Sequence, residues 1–229
     1  MMAWTMPRIT TSFAAALSLL LPVARPLLVG LTPAVGMGAE MLSTQAAYAQ
    51  SAGDWFYSGL DKYKNGDYRG AIADYSKSIA INPLSSNAYF NRGLARSRMN
   101  DFKGAIADYS KAIQNNPKDA SSYYNRGIAK DELADFKGAI IDYTKAIEID
   151  PEYHAYNNRG NARDELGDFK GAISDYTKAL TINPKDALAY TNRGITKENI
   201  GDLKGACADW RKAIELGMKD PVAWVKAQC

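Results

Sequence analysis

The stretch AYFNRG begins at Ala88, and close copies follow as SYYNRG from Ser122, AYNNRG from Ala155 and AYTNRG from Ala189. Each ends in the tripeptide Asn-Arg-Gly, at Asn91, Asn125, Asn158 and Asn192. A tripeptide that returns at near-constant spacing is either a binding motif displayed in an array or a packing unit reused along a rod. The residues around it decide between the two.

Aligned on Gly-Ala, the chain repeats at Gly70-Ala71, Gly104-Ala105, Gly138-Ala139, Gly171-Ala172 and Gly205-Ala206, with steps of 34, 34, 33 and 34 residues. An aromatic follows each Ala by four (Tyr75, Tyr109, Tyr143, Tyr176, Trp210), and a glycine precedes each Ala by twelve (Gly59, Gly93, Gly127, Gly160, Gly194). Pro83, Pro117, Pro151 and Pro184 close four of the units. A fixed period in this range marks a solenoid or another repeat array.

Each unit reads as two helices. In the second unit, Ser86 to Met99 holds no proline, and Asn100-Asp101 breaks it. Asp101 can cap a second helix, since its carboxylate accepts from free amides of the following turn. That helix is expected from about Phe102 to Gln114, with apolar residues at i, i+3 and i+4. Asn116-Pro117 stops it, because the residue before proline is pushed out of helical geometry. The capping Asp recurs at Asp67, Asp135, Asp168 and Asp202.

With Gly93, Ala105, Tyr109 and Pro117 at these spacings, the unit resembles the tetratricopeptide repeat, a 34-residue helix–turn–helix. The resemblance implies an all-α, right-handed superhelical solenoid. Five units are expected within 52–220 (52–85, 86–119, 120–152, 153–186, 187–220), followed by a C-terminal cap over 221–229. The chain departs from the family pattern around the first glycine. Arg92, Arg126, Arg159 and Arg193 stand before it, and Arg96, Lys130, Arg163 and Lys197 three residues after, where the family usually has Leu and an aromatic. This reads as a subfamily with polar helix pairing, similar to repeats of exported bacterial proteins.

The three letters of Asn-Arg-Gly then take different roles. The glycine is expected to let two helices approach, with Gly93 facing Ala105. The arginine is expected to pair with an Asp. Five Asp (Asp74, Asp108, Asp142, Asp175, Asp209) meet four Arg, and the first unit has Ser58 instead. That asymmetry favours pairing with the preceding unit (Asp74–Arg92, Asp108–Arg126, Asp142–Arg159, Asp175–Arg193), and pairing within one unit is the alternative. The asparagine carries the functional reading. The resemblance places the first helices on a concave face, where Asn91, Asn125, Asn158 and Asn192 could bond the backbone of an extended peptide. A plain solvated groove is the alternative.

The expected groove residues are Phe56, Asn87, Phe90, Asn91, Arg98, Tyr124, Asn125, Asp131, Asn157, Asn158, Asn161, Asp164, Asn192 and Glu198. Along it Phe56, Phe90 and Tyr124 give way to Asn157 and Thr191, and Asp131, Asp164, Glu165 and Glu198 make the far end acidic. A partner segment would be apolar at one end and basic at the other. The carboxylate clamp of chaperone-docking members is missing, since Phe56, Leu60, Ser121 and Asn125 occupy its positions. His154 stands where one residue is missing between the third and fourth units, with no co-ligand or nucleophile nearby in sequence.

The ends differ from the array. Residues 1–49 contain Arg8, Arg25 and Glu40 as their charged residues, an apolar run FAAALSLLL from Phe13, and Ala47-Tyr48-Ala49 as a small-x-small site. This describes an export signal. An uncleaved anchor over 13–39 and an organelle transit peptide with a lumen-directing part are the alternatives. The expected location is the periplasm, or the thylakoid lumen in a phototroph. At the other end, Pro221 can start a capping helix with Trp224 over the last unit. Cys207 and Cys229 lie 22 residues apart. In an exported protein they read as a disulfide worth about 3 kcal/mol; a buried Cys207 with a free Cys229 is the alternative.

Composition narrows the function class. Lys+Arg is 28 and Asp+Glu 25, a net charge of +3 with no basic stripe, which argues against nucleic acid. One histidine and two cysteines leave little for a metal site, and no phosphate loop or catalytic constellation appears. The expectation is a non-enzymatic protein-interaction scaffold without cofactors, serving the assembly or upkeep of an envelope or membrane complex. A homo-oligomer stacking through its solenoid ends is the alternative.

Overall fold

The computed structural model describes residues 50–151 and 153–229. The export-signal and anchor expectations fall on residues outside them. Among the described residues there are eleven helices and no strand: α1 (Ala52–Lys64), α2 (Tyr68–Ile81), α3 (Ser86–Arg98), α4 (Phe102–Asn115), α5 (Ala120–Asp131), α6 (Phe136–Ile149), α7 (Tyr153–Glu165), α8 (Phe169–Ile182), α9 (Ala187–Asn199), α10 (Leu203–Glu215) and α11 (Pro221–Gln228). Odd and even helices pair (α1 with α2, through α9 with α10), and each even helix packs on the next odd one. The odd helices also touch one another (α1–α3, α3–α5, α5–α7, α7–α9), which puts them on the inner, tighter side of the solenoid.

Local chemistry sets the turns. Asp67, Asp101, Asp135, Asp168 and Asp202 cap the even helices, each accepting from the amide of Gly70, Gly104, Gly138, Gly171 or Gly205. A Cβ on any of these glycines would strike the capping carboxylate, so the Gly of Gly-Ala makes room for the cap. The residue before the Asp adopts a left-handed conformation. Gly66, Gly167 and Gly201 take it freely; Asn100 (φ 60°) and Ala134 (φ 58°) take it with a side chain.

The core is a row of aromatic rings. Tyr75, Tyr109, Tyr143, Tyr176 and Trp210 are fully buried among alanines such as Ala71, Ala105, Ala139, Ala172 and Ala206. Each ring packs closely against the first-helix glycine of its own unit. A Cβ on Gly93 would stand 2.7 Å from the Tyr109 ring, and Gly59, Gly127 and Gly160 meet Tyr75, Tyr143 and Tyr176 at the same distance. The atoms nearest to a Cβ on Gly93 belong to Tyr109, which shares the buried face of α4 with Ala105.

The arginine pairing also runs opposite to the expectation. Arg92 binds Asp108, Arg126 binds Asp142, Arg159 binds Asp175 and Arg193 binds Asp209, all within one unit and each through two hydrogen bonds of 2.7–2.9 Å. The preceding unit contributes a hydroxyl. Nη1 of the four arginines donates to Ser76, Ser110, Thr144 and Thr177 at 2.9–3.0 Å. A second cation, Arg96, Lys130, Arg163 or Lys197, binds the same carboxylate at 2.7–3.0 Å. In the first unit Ser58 donates to Asp74 directly at 2.6 Å and Lys62 pairs with it at 2.6 Å. In place of the arginine, a serine and a lysine of the same unit satisfy Asp74.

Between the third and fourth units the connection spans 150–152, against 116–119 at the preceding junction. His154 lies inside α7 rather than in the turn. At the end, Pro221 opens α11, and the Trp224 ring stands 5.5 Å from that of Trp210. Cys207 and Cys229 are joined through their sulfurs.

Candidate functional site

The inner face is built by α1, α3, α5, α7 and α9. Its aromatics serve the core as well as the surface. Phe56, Phe90 and Tyr124 lean on Tyr75, Tyr109 and Tyr143 with ring centroids 5.8–5.9 Å apart, and all three are half-buried. At the same register Asn157 and Thr191 are buried. Thr191 donates to the Ala187 carbonyl, while Asn157 Oδ1 has no hydrogen-bond partner. In the first unit Tyr57 takes the place of the Asn and is 56% exposed.

The asparagine row divides in two. Asn91 donates to the Asn87 carbonyl and Asn125 to the Ser121 carbonyl, each one turn back along its own helix. Their amide nitrogens are thus used locally, and among the described residues nothing donates to their Oδ1 atoms. Asn158 and Asn192 are buried and reach across units, to the Tyr124 hydroxyl and to Asn161 Oδ1, both at 3.0 Å. Asn161 Oδ1 also accepts from Tyr176 at 2.8 Å, which makes it a junction between the fourth and fifth units. Arg98 does the same between the first two units, its Nε donating to the Tyr63 hydroxyl at 3.2 Å.

The acidic end centres on Asp131. Its Oδ2 accepts from the buried Tyr143 hydroxyl at 3.0 Å, and its Oδ1 has no partner. Burial pushes the Asp131 carboxyl up to about 7; the Tyr143 bond pulls it down, and the charges of Glu132 and Glu165 push it further up. Asp164 is buried, Glu165 exposed and Glu198 half-buried. The structure therefore brings Asp131, Glu132 and Glu165 within electrostatic reach of one another.

The reading of Asn-Arg-Gly missed one more partner of the arginine. Tyr89, Tyr123, Tyr156 and Tyr190 lie under the guanidinium groups of Arg92, Arg126, Arg159 and Arg193 at 5.5–5.6 Å. The signal was present as Tyr at a fixed three residues before each Arg. Among the described residues no group of three or more His, Cys, Asp and Glu is placed to hold a metal ion, and no helix is long and apolar enough to cross a membrane.

Paired helices, glycine–ring packing and an inner face of first helices define a helical-repeat solenoid. The tetratricopeptide repeat family matches residues 86–119, 120–153 and 154–186, further profiles of the same repeat match 59–100 and 175–208, and the chain belongs to this family. Among solved structures, a crystal structure of MamA is 27% identical over 69% of this chain and 93% of its own, with a TM-score of 0.67. YrrB, described as a TPR protein with an unusual peptide-binding site, is 20% identical over 77% of this chain and 92% of its own, with a TM-score of 0.69. MamA from Desulfovibrio magneticus RS-1 is 18% identical over 72% and 94%, with a TM-score of 0.69. No curated protein gives a significant sequence match.

Proposed function

We propose that this protein is a non-enzymatic scaffold that holds an extended segment of another protein along its inner face. The observation that carries the reading is the surface left over on α1, α3 and α5 after packing is satisfied. Tyr57 and Asn87 are exposed, and Asn91 and Asn125 keep open amide acceptors along the face. Such acceptors suit the backbone amides of an extended chain, whose own N–H groups need partners. The shared fold of YrrB, a TPR protein with an unusual peptide-binding site, agrees with this reading.

The polarity follows from the two ends of the face. A segment with an apolar part over Tyr57 and the edges of Phe56 and Phe90, and a basic part toward Asp131, Glu132 and Glu165, matches the surface offered. The leader-like residues 1–49 and the Cys207–Cys229 disulfide fit an exported protein that works on an envelope or membrane complex.

The test is a capture with three baits from the source cell's envelope fraction. One bait is the protein itself. A second carries Tyr57→Ala, Asn91→Ala and Asn125→Ala, which spare the stacked Phe90 and Tyr124. A third carries Lys103→Ala, Lys137→Ala and Lys170→Ala on the exposed sides of the even helices. A protein held by the first and third baits and lost by the second, with helicity unchanged, supports the proposal. Loss by the third alone would move the function to the outer face.

A further inference from the structure

The last helix is attached in an unusual way. α11 has eight residues, and its N-cap Asp220 makes no side-chain capping bond. Pro221 is buried at its start, and Trp224 and Val225 pack on the end cluster, while Val222, Ala223, Lys226, Ala227 and Gln228 are exposed. A helix this short does not persist in water without tertiary support. Beneath it lie Trp210, Ile195 and Ala206, all buried. The far end of α11 is tied down by the bond from Cys229 back to Cys207 on α10. The other contact at that end is a 3.4 Å hydrogen bond from Arg211 to the Cys229 carbonyl.

We infer that the Cys207–Cys229 disulfide is a redox latch on the C-terminal cap: a dithiol reductant opens it, and α11 then leaves the end of the solenoid and uncovers Trp210 and Ile195. While the bond is closed, α11 is tethered at both ends, by the short 216–220 connection and by the disulfide, and cannot swing off the end of the solenoid. Once it is open, three apolar side chains, Pro221, Trp224 and Val225, hold an eight-residue segment whose other five residues are exposed, the kind of segment that opens locally at low cost.

The sulfurs differ in access. Cys229 is exposed, whereas Cys207 is 6% exposed within α10. A thiolate of the reductant attacks Cys229 Sγ, the protein S–S bond breaks, and Cys207 departs as a thiolate and takes up a proton. The second thiol of the reductant then attacks the mixed disulfide and releases Cys229 as a thiol. Two electrons and two protons pass to the protein, and the reductant leaves as a disulfide. The bond spans only the 22 residues from α10 to the terminus, so the first four units contain no part of the latch.

Hydrogen exchange of the full chain, oxidised and after treatment with dithiothreitol, tests this. Exchange in 221–229 is expected to rise at least tenfold on reduction, with tryptophan emission shifting to the red and exchange in 86–149 unchanged. Cys229→Ser should match the reduced protein with or without dithiothreitol. Unchanged exchange in 221–229 would overturn the latch, since the apolar contacts alone would then hold the cap. A rise throughout the chain would also overturn it, by making the bond a staple of the whole fold.

Discussion

Arg126 grips Asp142 of its own repeat through Nε and Nη2 at 2.9 and 2.7 Å, and with Nη1 reaches Ser110 of the repeat before it at 3.0 Å. One guanidinium thus closes a unit and joins it to its neighbour. The planar fork of arginine permits both; the single ammonium of lysine does not. Asp142 is 1% exposed and is also bound by Lys130 at 2.7 Å.

Removing this carboxylate leaves two half-buried cations beside each other without their shared counter-charge. Asp142→Ala is expected to cost roughly 3–5 kcal/mol by chemical denaturation. Arg126→Lys, which keeps the charge and loses the fork, should cost about 1–2 kcal/mol. A double-mutant cycle should show strong coupling for Asp142 with Arg126 and weak coupling for Asp108 with Arg126. The reverse order would restore the pairing between units that the sequence suggested.

Two opposing effects meet at Gly127. Alanine in a helix interior is favoured over glycine by about 1 kcal/mol. Its Cβ would stand 2.7 Å from the buried Tyr143 ring, and overpacking of that kind costs about 1–3 kcal/mol. The ring is walled by Ala139 and Ala162 and cannot retreat freely. Gly127→Ala is therefore predicted to lower stability by about 1 kcal/mol. Thermal denaturation checks the sign, and a rise in Tm would show that the ring yields.

Ala134 is the opposite case. It holds φ 58° in the turn where three other units have glycine, and it is exposed. The left-handed conformation costs a residue with a Cβ about 1 kcal/mol. Ala134→Gly is expected to raise the Tm by a few degrees, offset in part by the greater freedom of glycine in the unfolded chain. An unchanged or lower Tm would remove the strain argument.

Asp131 predicts a pH dependence. Burial raises its carboxyl to about 7 in the folded protein, above the unfolded value near 4. The folded state then binds the proton more tightly, so this group costs nothing below about pH 4. The cost grows as pH rises and is complete above about pH 7. Asp131→Asn should accordingly stabilise the protein at pH 8, by on the order of 1–2 kcal/mol after allowance for partial solvent access, and change little at pH 4. Equal effects at both pH values would contradict the shifted carboxyl.

The repeat, its helix boundaries and its caps were legible in the sequence because they depend on near neighbours. Asp101 caps α4 three residues from Gly104, and Pro117 ends the unit by sterics alone. The arginine pairing was not legible in the same way. Arg92 stands 18 residues after Asp74 and 16 before Asp108, so sequence distance does not choose between them. Ser58 was read as a sign that the first unit needs no arginine, yet its hydroxyl bonds Asp74 at 2.6 Å. The sequence treats the four asparagines alike, as contacts for an extended peptide or as a solvated groove. The row divides because Asn158 and Asn192 find Tyr124 and Asn161 on neighbouring units, while Asn91 and Asn125 find only their own helices.

The central claim is that the inner face of α1, α3 and α5 carries the partner. The most direct measurement replaces Asn91 on the inner face, and separately the exposed Ala107 on α4, with a photo-crosslinking residue in the protein in its source cell. The account predicts that one partner protein is crosslinked from position 91 and not from position 107. Crosslinking from 107 alone would contradict it, and would make the asparagine row a solvated surface.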